Sequence, residues 1–245
     1  MEVKKIMYVL LFLLFMPRVI NAQEYKVISE ETKYFKTITT YSEYSLYGFN
    51  NNLSVTTEIS EEEYNNAVIE DITTLGNGET ETTYKMMTTS ILANGSNYRY
   101  RNRLAWKNFP KVRSYDIIGI GFYPSVKLTG TPVFTQYYCP ADSECITSTK
   151  NNLQTFSEGI GTSFKLPSGE LTQLEQTFYF NVEKNVDATI IRQTAYGDYS
   201  HATKSISLTN SKKYSVGVSG IELNSSVEDY YDSINYATAT WSGTW

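Results

Sequence analysis

The sequence predicts an all-β protein, an antiparallel β-sandwich with one short helix near residues 61–70. Segments that alternate polar and apolar side chains recur at spacings near ten residues, with turn signals between them. The chain holds 21 Tyr and only 6 Pro, and Tyr and the plentiful Thr suit half-buried strands. No fixed-period repeat or Pro/Gly-rich linker divides it. We therefore expect a single domain over residues 23–245; a small N-terminal subdomain ending near residue 75 is the alternative.

The first 22 residues have the form of a secretory signal peptide. Lys4 and Lys5 give a positive start, residues 6–16 form an apolar run, and Pro17 ends it before a small residue, Ala22. The apolar run is too short for a stable membrane span. We expect cleavage after Ala22 and a secreted, extracellular product, with an uncleaved anchor as the alternative.

The overall charge argues against nucleic acid as a partner. The net charge is −5, and it becomes −7 once residues 1–22, with their three basic and one acidic residues, are removed. A local basic patch can still override this average.

Two cysteines, Cys139 and Cys145, lie in the segment YYCPADSECI. An exported chain meets oxidising conditions, so we expect a disulfide, with two free thiols as the alternative. The bridge closes a short loop and stabilises the fold by about 2 kcal/mol in the chain-entropy model. Two thiols and one distant histidine do not make a tetrahedral zinc site, and no metal site is predicted.

The predicted helix starts at a capping box. Ser60 is followed three residues later by Glu63, and the first turn is acidic, as suits the positive end of a helix dipole. A long hairpin follows, with strands over residues 83–93 and 96–107. Its turn is Asn94-Gly95, the preferred dipeptide for a two-residue type I′ turn.

The second strand of this hairpin separates charged from aromatic side chains. Arg99, Arg101 and Arg103 alternate and share one face. The other face, directed to the core, carries Tyr98, Tyr100, Leu104 and Trp106. Asn102 interrupts the apolar face, and we interpret it as a bulge.

The basic cluster has two interpretations. It is either an outer strand face paired with acidic neighbours, which also discourages edge aggregation, or a surface for an anionic or glycan ligand. The ligand donors in the second interpretation are Arg99, Arg101, Arg103, Lys107 and Lys111. The partners it implies are a cell-surface glycan, an anionic lipid or a protein.

Two later strands have clear patterns. Residues 115–122 are almost continuously apolar, which predicts a strand buried on both faces. Gly119 and Gly121 within it would let a neighbouring layer approach closely. The last segment, YATATWSGTW, alternates cleanly, and we expect order nearly to Trp245 because its tryptophans require burial.

The sequence predicts no catalytic residue and no cofactor. The single histidine, His201, has Asp198 and Ser200 as chain neighbours, but triad members usually come from separate elements. We interpret His201 as a turn residue in solvent. A carboxylate pair from two strands would make a hydrolase, which stays open as a third function.

Calcium binding by an acidic segment is a further alternative. Glu228, Asp229 and Asp232 supply oxygen ligands, but their spacing follows no known calcium loop. A polar turn is the simpler interpretation of this segment.

A membrane-inserting protein is the second functional alternative. The hairpin over residues 83–107 is amphipathic in the way that a barrel hairpin requires.

The run WKNFPKVRSYDIIGIGF, Trp106 to Phe122, follows the Asn-Gly hairpin. It resembles a stretch in exported proteins of Gram-positive bacteria that have no assigned activity. The resemblance implies a secreted protein and offers no catalytic residues to carry over. The leading prediction is a secreted, non-enzymatic binding protein.

Overall fold

The computed structural model describes residues 24–42, 52–68, 73–75, 78–150 and 152–245. The predicted signal peptide and its predicted cleavage point lie outside these residues. Among the described residues, one α-helix, α1, spans Glu61–Asn66, and short 3-10 turns occur at Asn210–Lys212 and Glu228–Tyr230. The strands are β1 Lys26–Ser42, β2 Leu53–Ile59, β3 Thr73–Leu75, β4 Gly78–Asn94, β5 Asn97–Trp106, β6 Tyr115–Phe122, β7 Val126–Pro140, β8 Ile146–Ser148, β9 Asn152–Phe156, β10 Gly159–Lys165, β11 Leu171–Lys184, β12 Arg192–Ser200, β13 Tyr214–Gly217, β14 Gly220–Leu223 and β15 Asn235–Ser242.

Within the described ranges the strands form two large sheets and one small one, and every strand pairing is antiparallel. The first sheet has the order β2-β1-β4-β5-β11-β7-β8, with β3 paired to β4. The second has the order β15-β12-β6-β10-β9, and β13 and β14 form a separate hairpin. The predicted antiparallel β-sandwich is confirmed.

The main core fills the space between the two large sheets. Alternate residues of each strand point into it, as the period of two along a strand requires. Aromatic and branched aliphatic side chains make up this core; the aromatic ones that are less than 2% exposed are Tyr100, Phe134, Phe164, Phe178, Phe180 and Tyr199. Burial of these side chains stabilises the fold by roughly 25 cal/mol for each Å² of apolar surface removed from water.

Helix α1 begins where the capping box predicts. The Ser60 hydroxyl accepts a hydrogen bond from the Glu63 N–H at 3.0 Å, which satisfies one of the unpaired donors of the first turn. The helix ends at Asn66, earlier than the expected residue 70, because Ala67 already has an extended backbone. Residues 69 and 70 lie outside the described part of the chain.

The predicted hairpin is the centre of the first sheet. β4 and β5 pair with each other through a two-residue turn made by Gly95 and Ser96, with Asn94 opposite Asn97 at the ends of the strands. The predicted type I′ turn at Asn94-Gly95 was wrong, because that turn needs a positive φ at both central residues. Here Gly95 has a φ of 61° and no described residue other than glycine has a positive φ, which is the pattern of a type II′ turn. β4 also pairs with β1, and β5 with β11. The hairpin is therefore hydrogen-bonded on both sides.

Asn102 does not mark a bulge, and this expectation was wrong. The register of β5 passes through Asn102 without a shift on both its neighbours. Its side chain is fully buried and donates to the carbonyl oxygens of Gly119 at 3.2 Å and Asp198 at 3.1 Å. The amide thus joins β5 of the first sheet to β6 and β12 of the second.

A second layer covers the outer face of β6. The hairpin β13–β14 packs there around a smaller core that contains Ile117, Val216 and Ile221. Strand β6 is buried on both faces as predicted. A Cβ atom on Gly121 would lie 1.9 Å from the carbonyl oxygen of Gly217, so only glycine lets the two strands approach this closely.

The disulfide and the C-terminal strand also agree with the sequence analysis. Cys139 and Cys145 are bonded at the turn between β7 and β8. Strand β15 forms one edge of the second sheet, and beyond it Trp245 bonds to Ile190 and packs on Tyr98 with ring centroids 4.5 Å apart.

Gly121→Ala should destabilise the fold by about 1–3 kcal/mol or more, because the new methyl group overlaps the Gly217 carbonyl. Gly217→Ala is the matched control on the opposite side of this contact, since its Cβ atom would meet nothing nearer than 3.8 Å. Urea denaturation followed by tyrosine and tryptophan fluorescence measures both variants. Equal midpoints for the two would contradict the close-approach argument.

Candidate functional site

The outer arginine row, Arg99, Arg101 and Arg103, lies on the outward face of the first sheet. The exposure of β5 alternates strictly, so these three side chains face outward and their neighbours face the core. Arg99 lies between two tyrosine rings, with its guanidinium carbon 4.0 Å from the Tyr25 centroid and 4.5 Å from the Tyr179 centroid. The predicted separation of faces is therefore present.

Acidic and polar neighbours hold the other two arginines. Arg101 Nη2 lies 3.1 Å from the Ser90 hydroxyl and 3.9 Å from Glu30. Arg103 donates from Nε and Nη2 to one carboxylate oxygen of Glu175, at 3.0 and 2.7 Å. Both arginines retain partial exposure, 30% for Arg101 and 41% for Arg103.

A groove of about 500 Å³ runs beside Arg101 and Arg103. The remaining lining comes from β1, β4 and β11 and consists of Glu30, Thr32, Tyr34, Met86, Thr88 and Thr177. Burial lowers the pKa of Arg101, Glu30 partly offsets this shift, and Arg103 and Arg99 add to it. Arg101 is therefore a partly desolvated cation that Glu30 only partly compensates, whereas Arg103 is paired with Glu175 and Arg99 donates from Nε to Asn181 at 2.9 Å.

The two predicted lysine donors lie apart from the groove and have local roles. Lys107 donates to the backbone carbonyls of Tyr64 and Asn65 at the end of α1. Lys111 pairs with Glu79 on β4. Neither lysine lines the groove beside the arginine row.

A buried ionic cluster lies on the inner side of β4 and β5. The sequence analysis missed this cluster. Lys85 on β4 donates to Asp232 at 2.7 Å, and both side chains are completely buried. The other carboxylate oxygen of Asp232 accepts from the His201 N–H at 2.7 Å. Lys85 also lies 5.3 Å from the Trp106 ring centroid.

His201 extends this cluster to a second carboxylate. Its Nδ1 lies 2.9 Å from Asp116, which also accepts from the Tyr199 hydroxyl and from the Ala202 N–H. Burial, followed by the charge of Asp116 and the hydrogen bond to it, raises the pKa of Tyr199 well above its ordinary value. His201 is only 4% exposed, so its interpretation as a solvent-exposed turn residue was wrong.

The cluster is a structural brace rather than an open reaction centre. Both aspartates accept backbone hydrogen bonds and are sealed from solvent, so they do not face each other across a cleft. The three acidic residues considered as calcium ligands do not converge: Glu228 and Asp229 are exposed to solvent, whereas Asp232 is buried and pairs with Lys85. In the part of the chain that the structure describes, no group of three or more His, Cys, Asp or Glu side chains is arranged to hold a metal ion.

A third buried carboxylate, Asp198 on β12, lacks such a partner. It is 3% exposed, and its Oδ2 receives no hydrogen bond from any described residue. Burial alone raises the pKa of Asp198 to about 8. At neutral pH this carboxyl is therefore mostly protonated.

Both outer edges of the hairpin over residues 83–107 are hydrogen-bonded to neighbouring strands, one edge to β1 and the other to β11. Among the described residues, no helix has the length and apolar content needed to cross a membrane.

No protein-family model matches the sequence, and no curated protein matches it. Among solved structures, the chain is similar to the full-length major pilin SpaD from Corynebacterium diphtheriae. The match has 8% sequence identity and a TM-score of 0.32. It covers 75% of this chain but 56% of the pilin, so the chain spans little more than half of that protein's length.

Lys85→Met should destabilise the protein by about 3–5 kcal/mol, because it leaves the Asp232 charge buried without its partner. Lys127→Met is the control, since Lys127 forms an exposed pair with Glu183 and such a pair contributes at most about 1 kcal/mol. Denaturant titration measures both.

Adding Asp232→Asn to Lys85→Met should recover part of the lost stability, because Asn can still accept from the His201 N–H. If the double variant lost more stability than the two single variants together, the stability of the cluster would not depend on charge pairing.

Asp198 makes the stability of the protein depend on pH. Its pKa is about 8 in the folded chain and 3.8 ordinarily, so the folded state binds the extra proton between these values. Its contribution to the free energy of unfolding should therefore fall from pH 4 to pH 8, by roughly 1 kcal/mol per pH unit.

Asp198→Asn should flatten this dependence and stabilise the protein most near pH 8. The exposed Asp187→Asn is the charge-matched control. Melting temperatures measured from pH 4 to pH 9 test this; parallel profiles for the parent and the Asp198 variant would contradict it.

Proposed function

We propose that this protein is an exported, non-enzymatic binding module that recognises an acidic glycan at a cell surface through the outer arginine row. The observation that carries the proposal is the position of Arg101 and Arg103 beside one groove on the outward face of the first sheet. Export rests on the predicted signal peptide.

The chemistry of the row suits carboxylated or sulfated sugars. Arginine presents a planar fork of donors that matches a carboxylate or sulfate oxygen pair. Arg103 uses Nε and Nη2 on a single Glu175 oxygen, which keeps its Nη1 edge available to a ligand. Arg101 is poorly compensated, so an added anion would relieve repulsion from Arg103 and Arg99.

Tyrosine rings beside the groove add a surface for the sugar ring. Tyr34 lines the groove, and its ring centroid lies 5.0 Å from that of Tyr64 on α1. Aromatic faces pack against the C–H faces of pyranose rings and carry little entropy cost. The ligand must compete with Glu30 and Glu175 for the arginines, so we expect moderate affinity that weakens with salt.

The test is binding of the mature protein to an array of sulfated, sialylated and neutral glycans. Arg99→Ala/Arg101→Ala/Arg103→Ala should reduce binding to acidic glycans at least about tenfold, since each lost charge-assisted hydrogen bond contributes about 1.5–3 kcal/mol. Vesicles of phosphatidylglycerol in phosphatidylcholine form a second arm.

Lys127→Ala/Lys212→Ala/Lys213→Ala is the matched control, because it removes the same charge from exposed residues elsewhere. Equal glycan binding by both triple variants would overturn the proposal. Binding to the vesicles alone would overturn it in favour of an anionic lipid.

A further inference from the structure

The outer face of the second sheet carries a pocket that is separate from the arginine row. Its volume is about 390 Å³, and it lies where β12 and β15 meet the β13–β14 hairpin. A Cβ atom placed on Gly197 would point toward Thr89 and Asn102 of the first sheet. Successive residues of a strand point to opposite faces, so the side chain of Asp198 points away from the first sheet, toward this pocket. The two surfaces therefore belong to opposite faces of the sandwich.

Asp198 is the one carboxyl group in the lining of this pocket, and the walls around it are mainly apolar. Val218, Ile221 and Ile234 form the apolar walls, and Tyr196 and Tyr236 supply two rings. Tyr236 is 55% exposed, so its ring stands at the rim. The pocket combines an apolar body with one acidic group, which is the usual composition of a small-ligand site.

Comparison with the other two buried aspartates shows what Asp198 lacks. Asp232 is paired with Lys85, and Asp116 is bonded to His201. Among the described residues, the lining around Asp198 contains no basic residue, and its only other titratable groups are the phenols of Tyr196 and Tyr236. A buried carboxylate ordinarily requires a cation or several hydrogen bonds, and Asp198 Oδ2 receives neither from the described residues.

An ammonium group of the protein itself lies at the rim of this pocket. Lys33 on β1 reaches across to place Nζ 4.1 Å from the Tyr236 ring centroid. An aromatic face and a carboxylate are the two groups that bind an alkylammonium ion best. Lys33 also pairs with Glu58, so it stays at the rim rather than entering the pocket.

We propose that this pocket binds a primary alkylammonium group, with Asp198 as its counter-ion and the tyrosine rings and aliphatic walls around its methylene chain. The group can come from a lysine side chain of another polypeptide or from a free polyamine. Binding transfers one proton from Asp198 to solvent, because the ammonium ion pairs with the carboxylate and not with the acid. The burial that raises the pKa of Asp198 supports this exchange.

The experiment titrates the full mature protein with Nα-acetyl-lysine methylamide and with cadaverine, followed by NMR chemical shifts and calorimetry. We expect binding that is at least about tenfold tighter at pH 9 than at pH 6, since ionisation of Asp198 precedes pairing. Calorimetry in two buffers of different ionisation enthalpy should show release of one proton at pH 7. Binding by both probes indicates a lysine side chain, and binding by cadaverine alone indicates a polyamine; either result supports the site.

Asp198→Asn should abolish binding while the fold persists, because Asn keeps the shape of the side chain. Asp187→Asn, at an exposed position, should bind as the parent does. Tyr236→Leu gives a second readout and should weaken binding several-fold. The proposal fails if neither amine binds at millimolar concentration, if Asp198→Asn binds equally, or if 1-pentanol binds as well as the amines.

Discussion

The ion pair between Lys85 and Asp232 is the constraint on which the arrangement of the two sheets depends. It sits inside the sandwich, where each charge alone would cost several kcal/mol of desolvation. Through His201 and Asp116 the pair reaches β6, so a single chain of polar contacts connects β4 with the second sheet. A relative shift of the sheets that separated this pair would leave two buried charges without a partner, which costs several kcal/mol.

The hairpin of β4 and β5 thereby has different chemistry on its two sides. Inward, it supplies Lys85 to the brace and Asn102 to the carbonyls of the second sheet. Outward, it presents the outer arginine row. A rigid platform of this kind suits recognition, because the arginines are held in place before any ligand arrives and less conformational entropy is lost on binding.

Local sequence patterns were sufficient to predict the sandwich, a tight hairpin turn that contains Gly95, the cap at Ser60 and the two-sided burial of β6, because each depends on neighbours in the chain. The ionic cluster depends on residues up to 147 positions apart, as with Lys85 and Asp232, and no local pattern joins them. One signal was available: Lys85 has the same parity as Met87 and Ile91 and so had to face the core. The sequence analysis considered Asp198 only as a neighbour of His201. Its burial without a charged partner results from the β13–β14 hairpin that covers it, and no local pattern predicts that contact.

Strand β15 lies at the edge of the second sheet, where unpaired main-chain groups could bind another strand. Ser29 donates to the Thr240 carbonyl at 2.8 Å, and Glu31 accepts from the Thr238 N–H, so side chains of β1 occupy main-chain groups that another strand would otherwise use. A second molecule that tried to extend the sheet from this side would have to displace both contacts first. These two contacts therefore protect this edge of the second sheet against the addition of a strand from another molecule.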